Sequence, residues 1–273
     1  MNQIQYENAK KLYKEGKSLR QIGNLLNIDR KKLSKKLKED GIIIRDPNKN
    51  SVDKGKAKRI KKVDESIFER IDTEEKAYWL GFLYADGYVN NRQIELTLKA
   101  EDLEHIQKFK AFTKSEHKIS HRKEINAYRI TICSPKIASD LMNLGCTQAK
   151  SLTLTFPTKE QVPEHLVHHF MRGYFDGDGC IAYGQGQYRL SILGTSEFLD
   201  KYEDYILNIL NRTNRNKRRY NGQALSIQYA GTEQVYKIYN FLYKDATIYL
   251  DRKYNKFLKN AVLRQDRKKS QDD

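Results

Sequence analysis

The chain has 273 residues, and its 51 Lys and Arg against 35 Asp and Glu leave a net charge of +16, a pI near 9.5 and a mean hydropathy of −0.81. No run approaches the roughly 18 apolar residues of a membrane span, Met1 to Gln5 carries neither region of a secretory signal, and Cys133, Cys146 and Cys180 form no even disulfide framework or CxxC pair, so a reducing cytoplasmic setting is expected. With 38% hydrophobic residues and 18 Tyr the chain can bury a core, and its basic excess points to a polyanion as partner.

The charge is uneven: residues 1–66 hold 19 Lys and Arg against 9 acids. Tyr6 to Glu15 reads as a short amphipathic helix stopped at Gly16, and Ser18 caps a second helix with Leu19, Ile22, Leu25 and Leu26 on its apolar face. After Asn27-Ile28-Asp29, a third helix turns Leu33 and Leu37 inward. Its outward residues are Arg30, Lys31, Lys32, Ser34, Lys35, Lys36 and Lys38. This spacing predicts a helix-turn-helix over residues 1–44, similar to the small modules of resolvase-like recombinases, with the third helix suited to a major groove. A plain helical hairpin with a solvated basic face would share the pattern. Residues 45–66, rich in Lys and Arg and poor in apolar side chains, read as a basic linker.

Beyond it, helices and strands alternate in two similar runs. Asp72-Thr73-Glu74-Glu75 opens a helix that ends at Asp86-Gly87; strands follow at Arg92 to Lys99, Lys118 to Arg122 and Ala127 to Cys133, with helices about Glu101 to Thr113 and Ser134 to Leu144. A second helix, Glu164 to Phe175, leads to Asp178-Gly179. Strands near Ile181 to Tyr183, Tyr188 to Leu193, Lys217 to Tyr220 and Gln223 to Tyr229 follow, the last two across an Asn221-Gly222 turn, with helices at Ser196 to Asn211, Thr232 to Tyr243 and Asp251 to Arg264. Asp86 and Asp178 lie 92 residues apart, as an internal duplication would place them, with halves at 67–160 and 161–273.

Side by side, the two helix ends are Trp79-Leu80-Gly81-Phe82-Leu83-Tyr84-Ala85-Asp86-Gly87 and Met171-Arg172-Gly173-Tyr174-Phe175-Asp176-Gly177-Asp178-Gly179. Gly81 and Ala85, like Gly173 and Gly177, sit four residues apart on one helix face, where small side chains let two backbones approach. Packing those faces together would bring Asp86 and Asp178 to one place. Two carboxylates at two negative helix ends repel, and a hard divalent cation is the natural compensation, with Mg²⁺ expected and a pair of ions able to clamp both oxygens of a phosphodiester. Taken singly, an Asp-Gly after a helix is often only a turn, and helical glycines often serve packing alone.

These paired motifs resemble those of LAGLIDADG, or DOD-type, homing endonucleases, over about residues 67–265. The resemblance implies an α+β fold of two pseudo-symmetric αββαββα halves in one monomer, a β-saddle on the major groove, and the small all-α domain as an N-terminal addition. It implies an endonuclease of mobile elements and introns, making Mg²⁺-dependent double-strand cuts at a long site with two or three divalent ions at the motif interface. Asp86 and Asp178 match the metal-binding acids, while Lys253 and Lys150 match the lysine each half places nearby, as point charges for the phosphate. Tyr84 departs from the family's acid two residues earlier, where the second motif keeps Asp176. Relatives on this fold also include non-cleaving transcription regulators and maturases that bind intron RNA. Intein chemistry is not expected, because the chain opens with Met and closes Gln271-Asp272-Asp273.

On such a saddle, alternation turns Ile94, Leu96 and Leu98 inward and leaves Gln93, Glu95, Thr97 and Lys99 for the groove. The same rule assigns Arg129 and Thr131, Arg189 and Ser191, and Ser226 and Gln228 to base reading, with Arg215, Lys217, Arg218 and Arg219 along phosphates. Outward arginines also serve solubility alone. His165, His168 and His169 include an i, i+4 pair without a third zinc ligand, and Gly184 to Gln187 reads as a hairpin turn rather than a phosphate loop.

Overall fold

Asn2 opens α1 (Gln3–Lys14): its side chain accepts from the Gln5 N–H at 2.8 Å, while the Gln5 side chain accepts from the Asn2 N–H at 3.2 Å. That reciprocal cap starts the helix three residues before the apolar spacing does. Ser18 and Gln21 repeat it for α2 (Leu19–Leu26), Asn27 turns left-handed at φ 49°, and Asp29 accepts from the Lys32 N–H at 2.9 Å to open α3 (Arg30–Glu39). Tyr6, Ala9, Tyr13, Ile22, Ile28, Leu33 and Leu37 form the core of this unit. Lys36, expected outward, lies over the Tyr6 ring at 4.4 Å instead. The computed structural model describes residues 2–45, 61–148, 150, 153–221, 224–256 and 258, and divides into two units, Met1–Ile60 and Lys61–Asp273. Most of the expected basic linker, 46–60, lies outside the described residues.

In the second unit the duplication is visible in the strand ladders. Helix α4 (Glu74–Asp86), capped by Thr73, runs straight into β1 (Gly87–Asn90) and β2 (Gln93–Lys99); after α5 (Leu103–Phe112) come β3 (Ile119–Arg122), β4 (Ala127–Cys133) and α6 (Pro135–Asn143). Helix α7 (Val167–Asp178), entered through a 3-10 turn at Glu164–Leu166, likewise leads into β5 (Gly179–Gly184) and β6 (Gln187–Gly194), followed by α8 (Ser196–Leu210), β7 (Arg219–Asn221), β8 (Ala224–Ala230) and α9 (Thr232–Tyr243). The sheets are antiparallel, in the orders β1-β2-β4-β3 and β5-β6-β8-β7. Gly87 pairs with Leu96 in one and Gly179 with Ile192 in the other, so the registers correspond.

Period-two alternation decides which face of each sheet is covered. Ile94, Leu96, Leu98, Ile130 and Ile132 are buried beneath helices, as are Leu190, Ile192, Ile227 and Tyr229, while the residues between them face away from the helices. Gln185 and Gly186 both take positive φ, 54° and 74°, which is the two-residue hairpin chemistry expected there. Residues 222 and 223 of the other expected hairpin lie outside the described residues, and of the last expected helix 251–256 and 258 are described and helical. The architecture is thus α+β, with two αββαββ-type halves around one shared core.

Candidate active site

The two motif helices touch backbone to backbone. A Cβ on Gly81 would stand 2.0 Å from the Phe170 carbonyl oxygen, and one on Gly173 would stand 1.9 Å from that of Tyr78. One turn on, a Gly177 Cβ would stand 2.2 Å from the Ala85 Cβ. Real side chains cannot occupy such space, so the small residues at these four positions set the approach of α4 to α7. The crossing buries the whole run Ala77 to Tyr84 on one helix and Phe170 to Asp176 on the other.

Both helices pass directly into strands. Gly87 and Gly179 are extended, at φ −78° and −81°, and not the left-handed turn that Asp-Gly first indicates. Glycine is required there by crowding: an added Cβ would lie 2.6 Å from the Leu83 carbonyl oxygen, or 2.2 Å from the Phe175 ring. The abrupt exit leaves Asp86 and Asp178 as the last helical residues, side by side where the two helices end.

Asp86 keeps an exposed surface but is hemmed in by protein on its other sides, and this partial desolvation, followed by the charge of Asp178, pushes it up from 3.8 to about 6 against the pull of Lys253, Lys150 and Arg252. Burial also raises Asp178, opposed by Lys253, Lys150 and the Tyr174 hydroxyl beside it. Helix C-termini add to the negative potential at this spot. Among the described residues, none donates a hydrogen bond to the Asp86 carboxylate, which leaves its oxygens available to an external cation or donor.

Two lysines reach the same helix ends. Lys253 is 4% exposed, and its ammonium donates to the carbonyls of Phe175 at 2.7 Å and Gly177 at 2.9 Å, two acceptors in the last turn of α7. Burial pulls it down to about 8, against the charges of Asp176, Asp86 and Asp178, which favour the ammonium. Lys150 donates to the Gly87 carbonyl at the end of α4. A recess of about 190 Å³ opens beside them, lined in part by Lys150, Asp178, Tyr84 and Tyr174. The four residues expected at one place are therefore brought together.

The donor set suits a hard divalent ion: two carboxylates, raised chiefly by desolvation, with no described protein donor on Asp86. Among the described residues no group of three or more His, Cys, Asp or Glu side chains could hold a metal by itself. A hard divalent ion such as Mg²⁺ commonly takes one or two protein carboxylates and fills its shell with water and substrate phosphate. His165, His168 and His169 make no zinc site; His169 Nδ1 accepts from Arg172 at 2.8 Å and packs against the His168 ring.

The residues expected to meet nucleic acid are placed unevenly. On α3, Arg30, Lys31, Lys32 and Lys35 are exposed and Ser34 is half-buried, and all but Lys32 line one shallow concavity with Lys38. Arg129 and Thr131 stand on the outward face, both tied to Glu95: Arg129 donates to its oxygens at 3.2 and 3.3 Å and Thr131 at 3.2 Å. Arg189 is exposed and donates to Gln185; Ser191 is half-buried, while Gln228, Lys217 and Arg219 are exposed. Three expectations need correction. Ser226 is only 5% exposed and donates to the Arg219 carbonyl, because edge strand β7 folds over it. Arg215 and Arg218 are not free for phosphates. Both reach back to α8, pairing with the buried Glu203 at 3.4 and 2.7 Å and with Asp204 and Asp200.

Sequence reasoning passed over a buried polar network behind the site. Asp176, Tyr78, Arg172 and Glu74 join both motif helices to the segment before Lys253. The available signal was an Arg and an Asp one turn apart in an otherwise apolar helix. Glu95, which organises Arg129 and Thr131, was visible only as one outward residue among several.

No known family description matches the sequence, and no curated protein matches it. Solved structures of LAGLIDADG homing endonucleases are similar to the chain. I-LtrWI, bound to target DNA, is 11% identical, with 75% of this chain and 92% of that chain covered at a TM-score of 0.47. For the meganuclease I-CpaMI, bound to uncleaved DNA, the values are 11% identity, 71% and 92% coverage and 0.47. Full-length DUF199/WhiA from Thermatoga maritima is 15% identical, covering 74% of this chain and 66% of that chain at 0.45. Likeness at these values is one of general architecture.

Proposed function

We propose that the protein is a DNA endonuclease that hydrolyses phosphodiesters in both strands of a long duplex site with Mg²⁺ as cofactor. One observation carries the reading: two carboxylates, Asp86 and Asp178, are forced together at the ends of two helices in mutual backbone contact, where each is disfavoured as an anion. A fold that needed only a helix pair would not keep two repelling acids at its junction. The duplicated motif and its resemblance to LAGLIDADG enzymes support the same reading, as does the net charge of +16.

In this mechanism Asp86 and Asp178 would hold the ions, which supply charge neutralisation and a more acidic bound water. The chain does the positioning. Lys253 and Lys150, anchored on the carbonyls of Phe175, Gly177 and Gly87, place positive charge next to the carboxylates, where a phosphate gaining negative charge would be stabilised. The outward strand faces, with Arg129, Thr131, Arg189, Ser191, Gln228, Lys217 and Arg219, would lie along the duplex, and α3 of the N-terminal unit would add a separate groove contact.

Cleavage of a randomised duplex library with Mg²⁺ tests this, comparing wild type with Asp86→Asn and Asp178→Asn and sequencing the ends. Specific cuts by wild type, lost in either variant, are the expected result. Selection of a sequence without cutting would make the protein a non-cleaving DNA-binding regulator. Binding only to structured intron RNA would point to maturase chemistry instead.

A further inference from the structure

We propose that Asp176 is a positioning residue which, with Arg172 one turn earlier, clamps the segment from Leu242 to Lys253 onto α7 and thereby sets the Lys253 ammonium against the paired carboxylates. The proposal rests on the endonuclease reading and names a residue outside the metal-binding pair. Asp176 is 1% exposed and its side chain lies away from the recess beside Asp178. Around it, the Tyr78 hydroxyl at 2.8 Å and the Leu250 N–H at 2.7 Å donate to one oxygen, and the Tyr243 hydroxyl donates to the other. Three donors and no acceptor therefore meet this carboxyl group. Since Tyr78 spends its proton on Asp176, His105 Nε2, 3.0 Å away, must donate to the Tyr78 oxygen.

From Asp176 the connection to Lys253 is continuous. The Leu250 amide that donates to Asp176 belongs to a residue whose carbonyl accepts from the Lys253 and Tyr254 N–H groups, each at 3.0 Å. The far end of the same lysine returns to α7, on the carbonyls of Phe175 and Gly177, the two residues flanking Asp176. Arg172, fully buried, fixes the stretch before it by donating to the Leu242 and Ile248 carbonyls, both at 2.9 Å. Glu74 of α4 then holds Arg172 at 2.6 Å and accepts from the Thr247 N–H at 2.8 Å. Backbone and ammonium of Lys253 are thus both referred to one turn of α7.

The first half lacks this clamp. Leu80 and Tyr84 stand where the second motif has Arg172 and Asp176, and the Tyr84 hydroxyl donates to the Leu144 carbonyl, six residues ahead of Lys150. Among the described residues no charged side chain of α4 is hydrogen-bonded to the backbone from 143 to 150. A clamp present in one half only is not required by the fold both halves share, so its service is to the lysine at its end.

The test uses the full chain and Asp176→Asn, which keeps the size but removes the charge. Single-turnover cleavage with Mg²⁺ should fall about tenfold or more while DNA affinity stays within about twofold. In a Lys253→Met background the same substitution should alter the residual rate by less than about twofold, because the residue acts through Lys253. Equal losses in both backgrounds would overturn the proposal. A second readout needs no activity: acetylation of Lys253, measured by mass spectrometry against Lys150 in the same DNA-free molecule, should rise about fivefold in the variant as the segment loosens. An unchanged ratio would likewise overturn it. Should Asp176→Asn not fold, Tyr243→Phe removes a single donor, and the same two readouts apply with smaller shifts. If wild type never cuts, the endonuclease reading falls by itself, and the acetylation ratio still decides whether Asp176 places Lys253.

Discussion

Asp86→Asn should stabilise the metal-free protein, and by an amount that depends on pH in a known direction. In the folded state Asp86 holds its proton to about 6, against 3.8 for a free side chain, because partial desolvation and then Asp178 disfavour the anion. Below about pH 4 both folded and unfolded chains carry the proton and nothing is lost. Between roughly 4 and 6 the unfolded chain releases the proton while the folded one retains it, so stability falls as pH rises. Above 6 the full penalty is present; because Asp86 is solvent-exposed, screening holds it to about 1 kcal/mol, well below what 1.36 kcal/mol per unit would give. Asparagine removes the charge at nearly the same volume, and no described donor to Asp86 is orphaned by the change. At about 2–4 °C per kcal/mol for a unit of this size, the melting temperature at pH 7.5 in EDTA should rise by about 2–4 °C. Near pH 4 the gain should vanish. Adding Mg²⁺ should narrow the difference by stabilising wild type alone. Thermal melts of both proteins across pH 4 to 8 make the measurement. A gain of equal size at every pH, or none at pH 7.5, would refute the placement of the two acids.

Three further outcomes follow from the same geometry. Gly81→Ala and Gly173→Ala, which in an open helix would add about 1 kcal/mol of stability, should here cost about 3 kcal/mol or more, read by urea titration of the fluorescence of the single, fully buried Trp79. Glu203→Gln should destabilise by about 2 kcal/mol in the same assay, since it strips Arg215 and Arg218 of the one fully buried carboxylate they share, while Lys217→Ala should leave stability unchanged. DNA affinity should fall with salt at about −0.9 in log–log slope per phosphate contacted, and Lys31→Ala with Lys35→Ala should make that slope shallower by about 2; an overall slope shallower than about −3 would argue against a long duplex footprint.

Most of the architecture was legible in the sequence because period and punctuation agree there. Ile94, Leu96 and Leu98 alternate, Ser18, Asp29 and Thr73 cap, and Gly186 supplies a positive φ to its hairpin turn. The site was legible for another reason. A motif that occurs twice halves the ambiguity of each copy, and small residues four apart name the helix face that must meet its twin. What the sequence hid were long-range side-chain pairings. Arg215 and Arg218 look like free cations until α8 brings Glu203 beneath them, and Ser226 looks outward until β7 covers it. Alternation assigns a face, but only tertiary structure says what lies over that face.

The departure of Tyr84 from the second motif's Asp176 gains meaning from the same contrast. In the structure the acid is fully buried, where an ion is costly unless several donors meet it, and three do. Tyrosine in the first half avoids that cost and settles for one hydrogen bond to Leu144. Among the described residues the two ammonium groups therefore stand on unequal foundations, that of Lys253 on two carbonyls of α7 and that of Lys150 on the carbonyl of Gly87. Unequal preorganisation around otherwise matched carboxylates should make the two strands of a duplex react at unequal rates, with a nicked intermediate accumulating. Asp176→Asn should bring the two rates closer by slowing the faster one, and a time course of strand-labelled substrate on a denaturing gel distinguishes that from a uniform loss.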